Sequence, residues 1–220
     1  MKNKEYPNIE LINEAERVAS EIIANKRSNH HRDKFFPMMI DGLNLKYGVE
    51  IGTDKGEFAH HLLERSKLTN LCCIDPWIDD FGSDHKPGYY DKIGDNRYNA
   101  AFEKLKKFIE VSRCQPIRGF SANASQGWQE ESVDFIYIDG DHSLEGVYTD
   151  LYSWIGKVRI GGIVSGHDYK DGPKSGMQDY FGEQLPYRVK TVVDNFCQQY
   201  GYKLHTVGGR VLSFWFVRTH

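Results

Sequence analysis

The sequence predicts an α/β domain with a mostly parallel sheet, because short apolar stretches alternate with helical patterns along most of its 220 residues. Two local patterns support this class. The glycine-containing segment 49–56 follows one apolar stretch and leads directly into a helical pattern, as in a strand–turn–helix unit. Near the C-terminus, two apolar stretches flank Gly208-Gly209, which is typical of an antiparallel hairpin. We therefore expect one domain whose sheet is closed by that hairpin.

Composition and charge limit the kind of partner. The chain has 28 Lys and Arg against 31 Asp and Glu, and its basic residues are scattered, which argues against nucleic acid as a partner. No apolar stretch approaches the roughly 20 residues that cross a bilayer. The N-terminus lacks the apolar core of a signal peptide, and the four cysteines show no CxxC spacing. We expect a cytoplasmic protein with reduced thiols and no membrane partner.

Residues 1–42 are expected to form a helical extension that precedes the main domain at 43–220. Apolar residues recur at helical spacing from about residue 8 to 26. This helix would cover an edge of the site, pack against another subunit in a homo-oligomer, or simply cover the core. His30 and His31 follow in a polar stretch and are expected to be solvated loop residues.

The first strand and its turn are expected to form a binding crevice. Glu50 lies near the end of the strand. Gly52 and Gly56 let the backbone approach a ligand closely at a helix N-terminus. A second apolar stretch, 71–74, ends at Asp75, about 20 residues beyond the glycines, where an acid can accept the hydroxyl hydrogens of a ribose. The alternatives are an ordinary tight turn and a capping role for Asp75.

Two segments are expected to be binding loops. Residues 76–97 are rich in glycine, aspartate and aromatic residues, a composition too broken for a helix and too irregular for a strand. A helix is expected over 99–109 and a third strand over 114–117. Residues 171–187 form a second polar, glycine-containing stretch, with Pro186 suited to begin the last helix.

The second half of the chain carries a cluster of titratable residues. The clearest strand, 133–138, ends in Asp139-Gly140-Asp141-His142, and the strand at 163–165 ends in Gly166-His167-Asp168. Because the carboxyl ends of adjacent parallel strands meet at one edge of a sheet, these groups are expected to face one another. Two carboxylates there would repel or stay solvated unless something bound them, and a divalent cation is the simplest partner.

Taken together, the pattern Glu50-x-Gly52-x-x-x-Gly56, the acid that closes the second strand and the C-terminal hairpin resemble the class I S-adenosylmethionine-dependent methyltransferases, over roughly residues 43 to 218. The sequence IDGDH, a helix and then GGIVSGHDY is similar to small-molecule O-methyltransferases related to macrocin O-methyltransferase and, more distantly, to the metal-dependent catechol-type enzymes. The resemblance implies a doubly wound, Rossmann-like, seven-stranded sheet. It also implies S-adenosylmethionine as cofactor, Mg²⁺ or Mn²⁺, and a hydroxylated small molecule (a sugar, a phenol or a natural-product scaffold) as substrate.

The resemblance further implies roles for individual residues. Those that would bind the cofactor are Glu50, Gly52 and Gly56 around its methionine end, Asp75 at the ribose, and Ser121 and Ala122 at the adenine edge. The implied metal ligands are Asp139, His167 and Asp168, with His142 as the base and Asp141 as its rival. Two departures exist: Asp54 replaces a glycine of the commonest loop, and His167 stands where the catechol-type enzymes carry an acid.

Other classes fit the sequence less well. A nicotinamide-dependent oxidoreductase would use the same turn and acid, but its GxGxxG is absent and the polar cluster of the second half would have no role. A non-catalytic cofactor-binding protein would not need that cluster either. Nucleic-acid methylation is disfavoured by the charge balance and by IDGDH standing where an Asn/Asp-Pro-Pro-Tyr/Phe segment would be expected.

Overall fold

The structure, a computed structural model, describes residues 8–25, 30–78, 90–178 and 184–220, with side chains omitted at 90–94, 173–178 and 184–186. The α-helices of these residues are α1 Ile9–Asn25, α2 Arg32–Gly42, α3 Glu57–Arg65, α4 Tyr90–Ile109, α5 Ser121–Ser125, α6 Leu144–Trp154 and α7 Val189–Tyr200. The strands are β1 Tyr47–Ile51, β2 Asn70–Asp75, β3 Cys114–Arg118, β4 Val133–Ile138, β5 Val158–Gly166, β6 Asp171–Gln178, β7 Gln184–Arg188, β8 His205–Gly208 and β9 Leu212–Val217.

The main sheet has seven strands in the order β3-β2-β1-β4-β5-β9-β8. Strands β1 to β5 pair in parallel, whereas β9 runs antiparallel to both β5 and β8. This confirms the predicted mostly parallel, doubly wound sheet with a C-terminal hairpin. From β1 the strand order runs outward to β3 on one side, and from β4 it runs outward to β5 on the other. The crevice at the carboxyl ends of β1 and β4 is therefore the topological switch point, where such folds bind ligands.

Apolar side chains that alternate along the strands build a core on each face of the sheet. On β4, Phe135 and Tyr137 join the core beneath α1–α4, while Ile136 and Ile138 join the core beneath α6 and α7. Both faces of a parallel strand are buried in this way, which explains its nearly continuous apolar sequence. The helices α1 and α2 contribute buried residues, among them Ile12 and Phe35, to the first of these cores.

Two expectations about loops are wrong in part. Helix α4 begins at Tyr90, so residues 90–97 are helical, although Gly94 and the polar composition had indicated a loop; residues 79–89 lie outside the described part. Segment 171–187 contains β6 and β7, which pair as a separate two-stranded sheet, apart from 179–183, which are not described. Pro186 lies in β7, and α7 begins at Val189.

Helix α2 was not predicted from the sequence as a separate element. His31 is its N-cap rather than a loop residue, although its side chain is exposed as expected. The buried residues of α2 are crowded into Phe35–Ile40 and interrupted by Pro37, so the apolar pattern is weak. Within the residues that the structure describes, no helix combines the length and apolar character needed to cross a membrane.

Candidate active site

The turn after β1 lies directly against the end of β4. Gly52 has φ +85°, and a Cβ there would lie 2.2 Å from the carbonyl oxygen of Asp139. Its N–H donates to the carbonyl of Ile74 on β2 at 2.9 Å. Gly56, at φ +75°, is the N-cap of α3. Only glycine fits at position 52, because any side chain would collide with the neighbouring backbone.

Glu50 is a buried carboxyl group near the end of β1. The residue is 2% exposed, and none of the described residues hydrogen-bonds to its Oε2. Burial raises the pKa of Glu50 to about 8. A buried carboxyl oxygen without a partner is costly, and a positively charged ligand in the crevice would relieve that cost.

Asp75 ends β2 and ties the crevice wall together. Its Oδ2 accepts the backbone N–H of Asp54 at 2.9 Å, and its Oδ1 accepts that of Trp77 at 2.7 Å. Burial raises the pKa of Asp75, and these two N–H groups act in the opposite direction. Because an ionised carboxylate has about four lone-pair positions, Asp75 can fill its capping role and still accept hydrogen bonds from a ligand.

Ser121 and Ala122 form the start of α5, just beyond β3 and at the same edge of the sheet. The hydroxyl of Ser121 donates to the carboxyl group of Asp150, whose pKa is raised by burial to about 7. The indole N–H of Trp154 donates to the Ser121 carbonyl at 3.2 Å. These contacts fix the position of α5 at the edge of the crevice.

The titratable residues at the ends of β4 and β5 converge as predicted. One ligand atom each from Asp139, His142 and Asp168 lies within 4.8 Å of the others. His142 Nε2 is 3.3 Å from Asp139 Oδ1 and 3.3 Å from Asp168 Oδ2. His167 Nδ1 is 3.8 Å from each of the same two oxygens. Both imidazoles therefore stand between the two carboxylates, with His142 the closer.

Each of these carboxylates also has a basic partner. Arg32 Nη1 donates to Asp139 Oδ2 at 2.7 Å, and Lys170 Nζ lies 3.3 Å from Asp168 Oδ1. Although burial alone would raise it, the hydrogen bond from His142 and the charges of His167 and Arg32 hold the pKa of Asp139 below its ordinary value. We expected the two carboxylates to repel each other unless a metal ion bound them. That expectation is wrong, because each carboxylate already has a basic partner.

Asp141 is the predicted site residue that turns away from this cluster. It accepts the backbone N–H of Ser143 at 2.9 Å and the Ser143 hydroxyl at 2.7 Å. That hydroxyl in turn accepts the N–H of Gly146, which caps α6. Asp141 therefore stabilises the start of a helix. His142, by contrast, has a buried Nδ1 to which none of the described residues hydrogen-bonds.

Sequence reasoning missed Arg32. It is the first residue of α2, and its guanidinium lies 4.8 Å from the centre of the Phe58 ring and 3.3 Å from the Tyr137 hydroxyl. To predict that Arg32 belongs to the site, one would have to recognise from the sequence that residues 32–42 form a helix whose first residue lies at the edge of the sheet. Arg32 and His167 also line a cavity of about 420 Å³ between α2, α3 and the β8–β9 turn, with His31, His61 and Arg210 among its other walls.

The fold is that of a Rossmann-like α/β protein, and its topological switch point lies at the ends of β1 and β4, where such folds bind ligands. The family described as a methyltransferase domain matches residues 49–169, more than half of the chain, and the chain belongs to this family. This confirms the resemblance to methyltransferases found in the sequence.

Two relatives and two solved structures illustrate the likeness. The chain is 26% identical over 165 residues to uncharacterized protein R132 of Acanthamoeba polyphaga mimivirus, and 25% identical over 134 residues to uncharacterized protein y4gI of Sinorhizobium fredii. These matches cover 73% and 59% of the chain, but only 66% and 14% of the respective relatives.

Two O-methyltransferase structures share the fold at low sequence identity. A Staphylococcus aureus protein provisionally assigned as a caffeoyl-CoA O-methyltransferase superposes with a TM-score of 0.61 at 15% identity, covering 96% of this chain and 93% of its own. An O-methyltransferase from Bacillus cereus in complex with SAH superposes with a TM-score of 0.57 at 14% identity, covering 96% and 92%.

Proposed function

We propose that the protein is an S-adenosylmethionine-dependent methyltransferase that methylates a hydroxyl group of a small molecule. Membership of the methyltransferase-domain family supports the reaction class. The observation that carries the proposal is Glu50, a fully buried carboxyl group beside the glycine turn, one oxygen of which has no hydrogen-bond partner among the residues that the structure describes. The ammonium group of the methionine end of the cofactor supplies the missing positive partner.

The cofactor site in this proposal follows the sheet edge from β1 to β3. Glu50 binds the ammonium, the bare backbone at Gly52 and Gly56 lies along the methionine portion, and the free lone pairs of Asp75 accept the ribose hydroxyls. Ser121 and Ala122 border the adenine. In support, Gly52 and Asp75 are linked by short hydrogen bonds to their neighbours on β2 and in the turn. A crevice held in this way needs little rearrangement when the cofactor binds.

The cavity next to His167 is proposed to receive the acceptor. Its volume of about 420 Å³ falls within the roughly 300–1,000 Å³ typical of small-molecule sites. Its lining mixes polar side chains with apolar surface, including the ring of Phe58, and this mixture suits a hydroxylated compound. We assign the cofactor chemistry to residues 43–220, while the extension 1–42 contributes Arg32 and His31 to the acceptor side.

A divalent cation fits the neighbouring cluster. Asp139 and Asp168 offer carboxylate oxygens and His167 an imidazole nitrogen, a set that suits Mg²⁺ or Mn²⁺ and, through the imidazole, favours Mn²⁺. When bound, such a cation would hold the acceptor oxygen and lower its pKa. We expect the ion to bind the carboxylates of Asp139 and Asp168, which also contact the imidazoles of His142 and His167.

His142 is proposed as the general base. Its Nε2 reaches the cluster, whereas both Asp141 oxygens accept hydrogen bonds that cap α6. A well-placed histidine contributes roughly 10²–10⁴-fold as a general base. The larger contribution comes from holding the acceptor oxygen in line with the sulfonium methyl, since well-oriented reactants gain about 7–11 kcal/mol.

Calorimetric titration with S-adenosylmethionine and, separately, with NAD tests the proposed cofactor. We expect the wild type to bind S-adenosylmethionine and Glu50→Gln to lose most of that affinity, because the amide has no charge to offer the ammonium. The exposed Glu64→Gln serves as the matched control and should bind normally. Binding of NAD in place of S-adenosylmethionine would overturn the proposal in favour of an oxidoreductase.

A further inference from the structure

We propose that Arg32 is a built-in counter-cation of Asp139 and that it competes with a divalent cation for that carboxylate. This inference rests on the cation site of the proposed function and concerns a residue outside the sequence pattern that suggested that site. It predicts that Arg32 sets the affinity of the protein for the cation.

The contact between Arg32 and Asp139 is short and shielded from solvent. Nη1 lies 2.7 Å from Oδ2, and the two side chains are only 24% and 19% exposed. Exposed ion pairs contribute little because water and salt screen them, but this pair is largely protected from both. Any cation that takes both oxygens of Asp139 must break this contact.

The position of Arg32 is fixed by more than its ion pair. The guanidinium packs on the Phe58 ring at 4.8 Å from its centre, and Nη1 also donates to the Tyr137 hydroxyl at 3.3 Å. These contacts hold the charge at the carboxylate with little loss of side-chain freedom on pairing. Arg32 therefore competes with a cation more strongly than a free surface arginine would.

Lys170 provides an internal comparison. It pairs with Asp168 at 3.3 Å, but its side chain is 48% exposed. Its ammonium also lies 4.2 Å from the centre of the Tyr187 ring, a cation–π contact that does not depend on Asp168. Lys170 is therefore the weaker competitor, although it faces the same cluster.

The Arg32 side chain also borders open space next to Asp139. It lines the 420 Å³ cavity proposed to receive the acceptor, so a released guanidinium remains at the boundary between the two sites.

The test is Mn²⁺ binding to metal-free protein, followed by the electron paramagnetic resonance of free Mn²⁺. Breaking a charge-assisted hydrogen bond corresponds to roughly 10- to 100-fold in affinity, so Arg32→Gln should bind Mn²⁺ tighter than the wild type by about that factor. Arg32→Lys should fall between the two, and Lys170→Gln should gain only a few-fold. Adding Asp139→Asn to Arg32→Gln should abolish the gain.

Arg159→Gln is the matched control, because Arg159 pairs with Asp134 at the opposite ends of the same two strands. It should leave the Mn²⁺ affinity unchanged. Equal or weaker Mn²⁺ binding by Arg32→Gln, or no binding by any variant, overturns the inference. Circular dichroism and S-adenosylmethionine affinity, measured on the same samples, show whether the fold and the proposed cofactor site are intact, so the two proposals fail separately.

Discussion

The raised pKa of Glu50 predicts that binding of S-adenosylmethionine depends strongly on pH. Burial raises the pKa of this carboxyl to about 8, so the free protein holds it mostly protonated at neutral pH. The ammonium of the ligand requires the ionised form. Binding therefore removes a proton from Glu50, and the observed affinity should rise with pH until the free protein is itself ionised.

The size of the effect follows from the pKa. With a pKa of about 8, Glu50 is mostly protonated at pH 7, so binding should release most of one proton from this group. The affinity should rise close to tenfold per pH unit between about pH 6 and 7, a change of about 1.4 kcal/mol for each unit, and should stop rising near pH 8, where the α-amino group of the ligand begins to lose its own proton. The affinity rises rather than falls with pH because the protonated form of Glu50 cannot pair with the ammonium.

Calorimetry in buffers of different ionisation enthalpy measures both the affinity and the protons released. Glu50→Gln should bind weakly and should lose the rise in affinity between pH 6 and 8. Glu64→Gln removes an exposed carboxylate on α3 and should keep the wild-type profile. A wild-type affinity that is flat from pH 6 to 8, or a Glu50→Gln variant that keeps the same slope, would refute the reasoning.

The remaining predictions concern the crevice and the base. Gly52→Ala should lower the free energy of unfolding by about 2–4 kcal/mol, because it adds a collision with backbone to a positive φ; Gly201→Ala, also at positive φ but facing open space, should cost only about 1 kcal/mol, and equal losses in urea denaturation would contradict this. Asp75→Ala should weaken S-adenosylmethionine binding about 10- to 150-fold, and unchanged affinity in a titration would remove Asp75 from the site. His142→Ala should lower kcat by about 10²–10⁴ while it keeps its cofactor affinity; a variant with the kcat of the wild type would remove His142 as the base.

Much of the fold could be predicted because the strands and turns of a parallel sheet leave local marks. The apolar stretches around Val49 and Ile136, the glycines after β1 and the acids that end β2 and β4 each indicate their element without knowledge of its neighbours. The convergence of Asp139 and Asp168 also followed, since the carboxyl ends of adjacent parallel strands share an edge.

The rest depends on contacts between distant parts of the chain. Arg32 and Asp139 are 107 residues apart, and nothing local to either marks their pairing. The role of Asp141 depends on where α6 begins, because both of its oxygens accept hydrogen bonds from Ser143, the N-cap residue of that helix. Only the first part of α4, residues 90–97, was not predicted, because Gly94 and the polar composition there lower the intrinsic helix propensity.

The central claim is tested most directly by following a labelled methyl group. The wild-type protein is incubated with S-adenosylmethionine carrying a ¹³C methyl, a library of hydroxylated metabolites, and either Mg²⁺ or Mn²⁺, and the products are analysed by mass spectrometry. We predict a product labelled on oxygen together with an equal amount of S-adenosylhomocysteine, both greatly reduced in His142→Ala. Tight binding of S-adenosylmethionine without acceptor-dependent formation of S-adenosylhomocysteine would contradict the account and leave a cofactor-binding protein that does not transfer the methyl group.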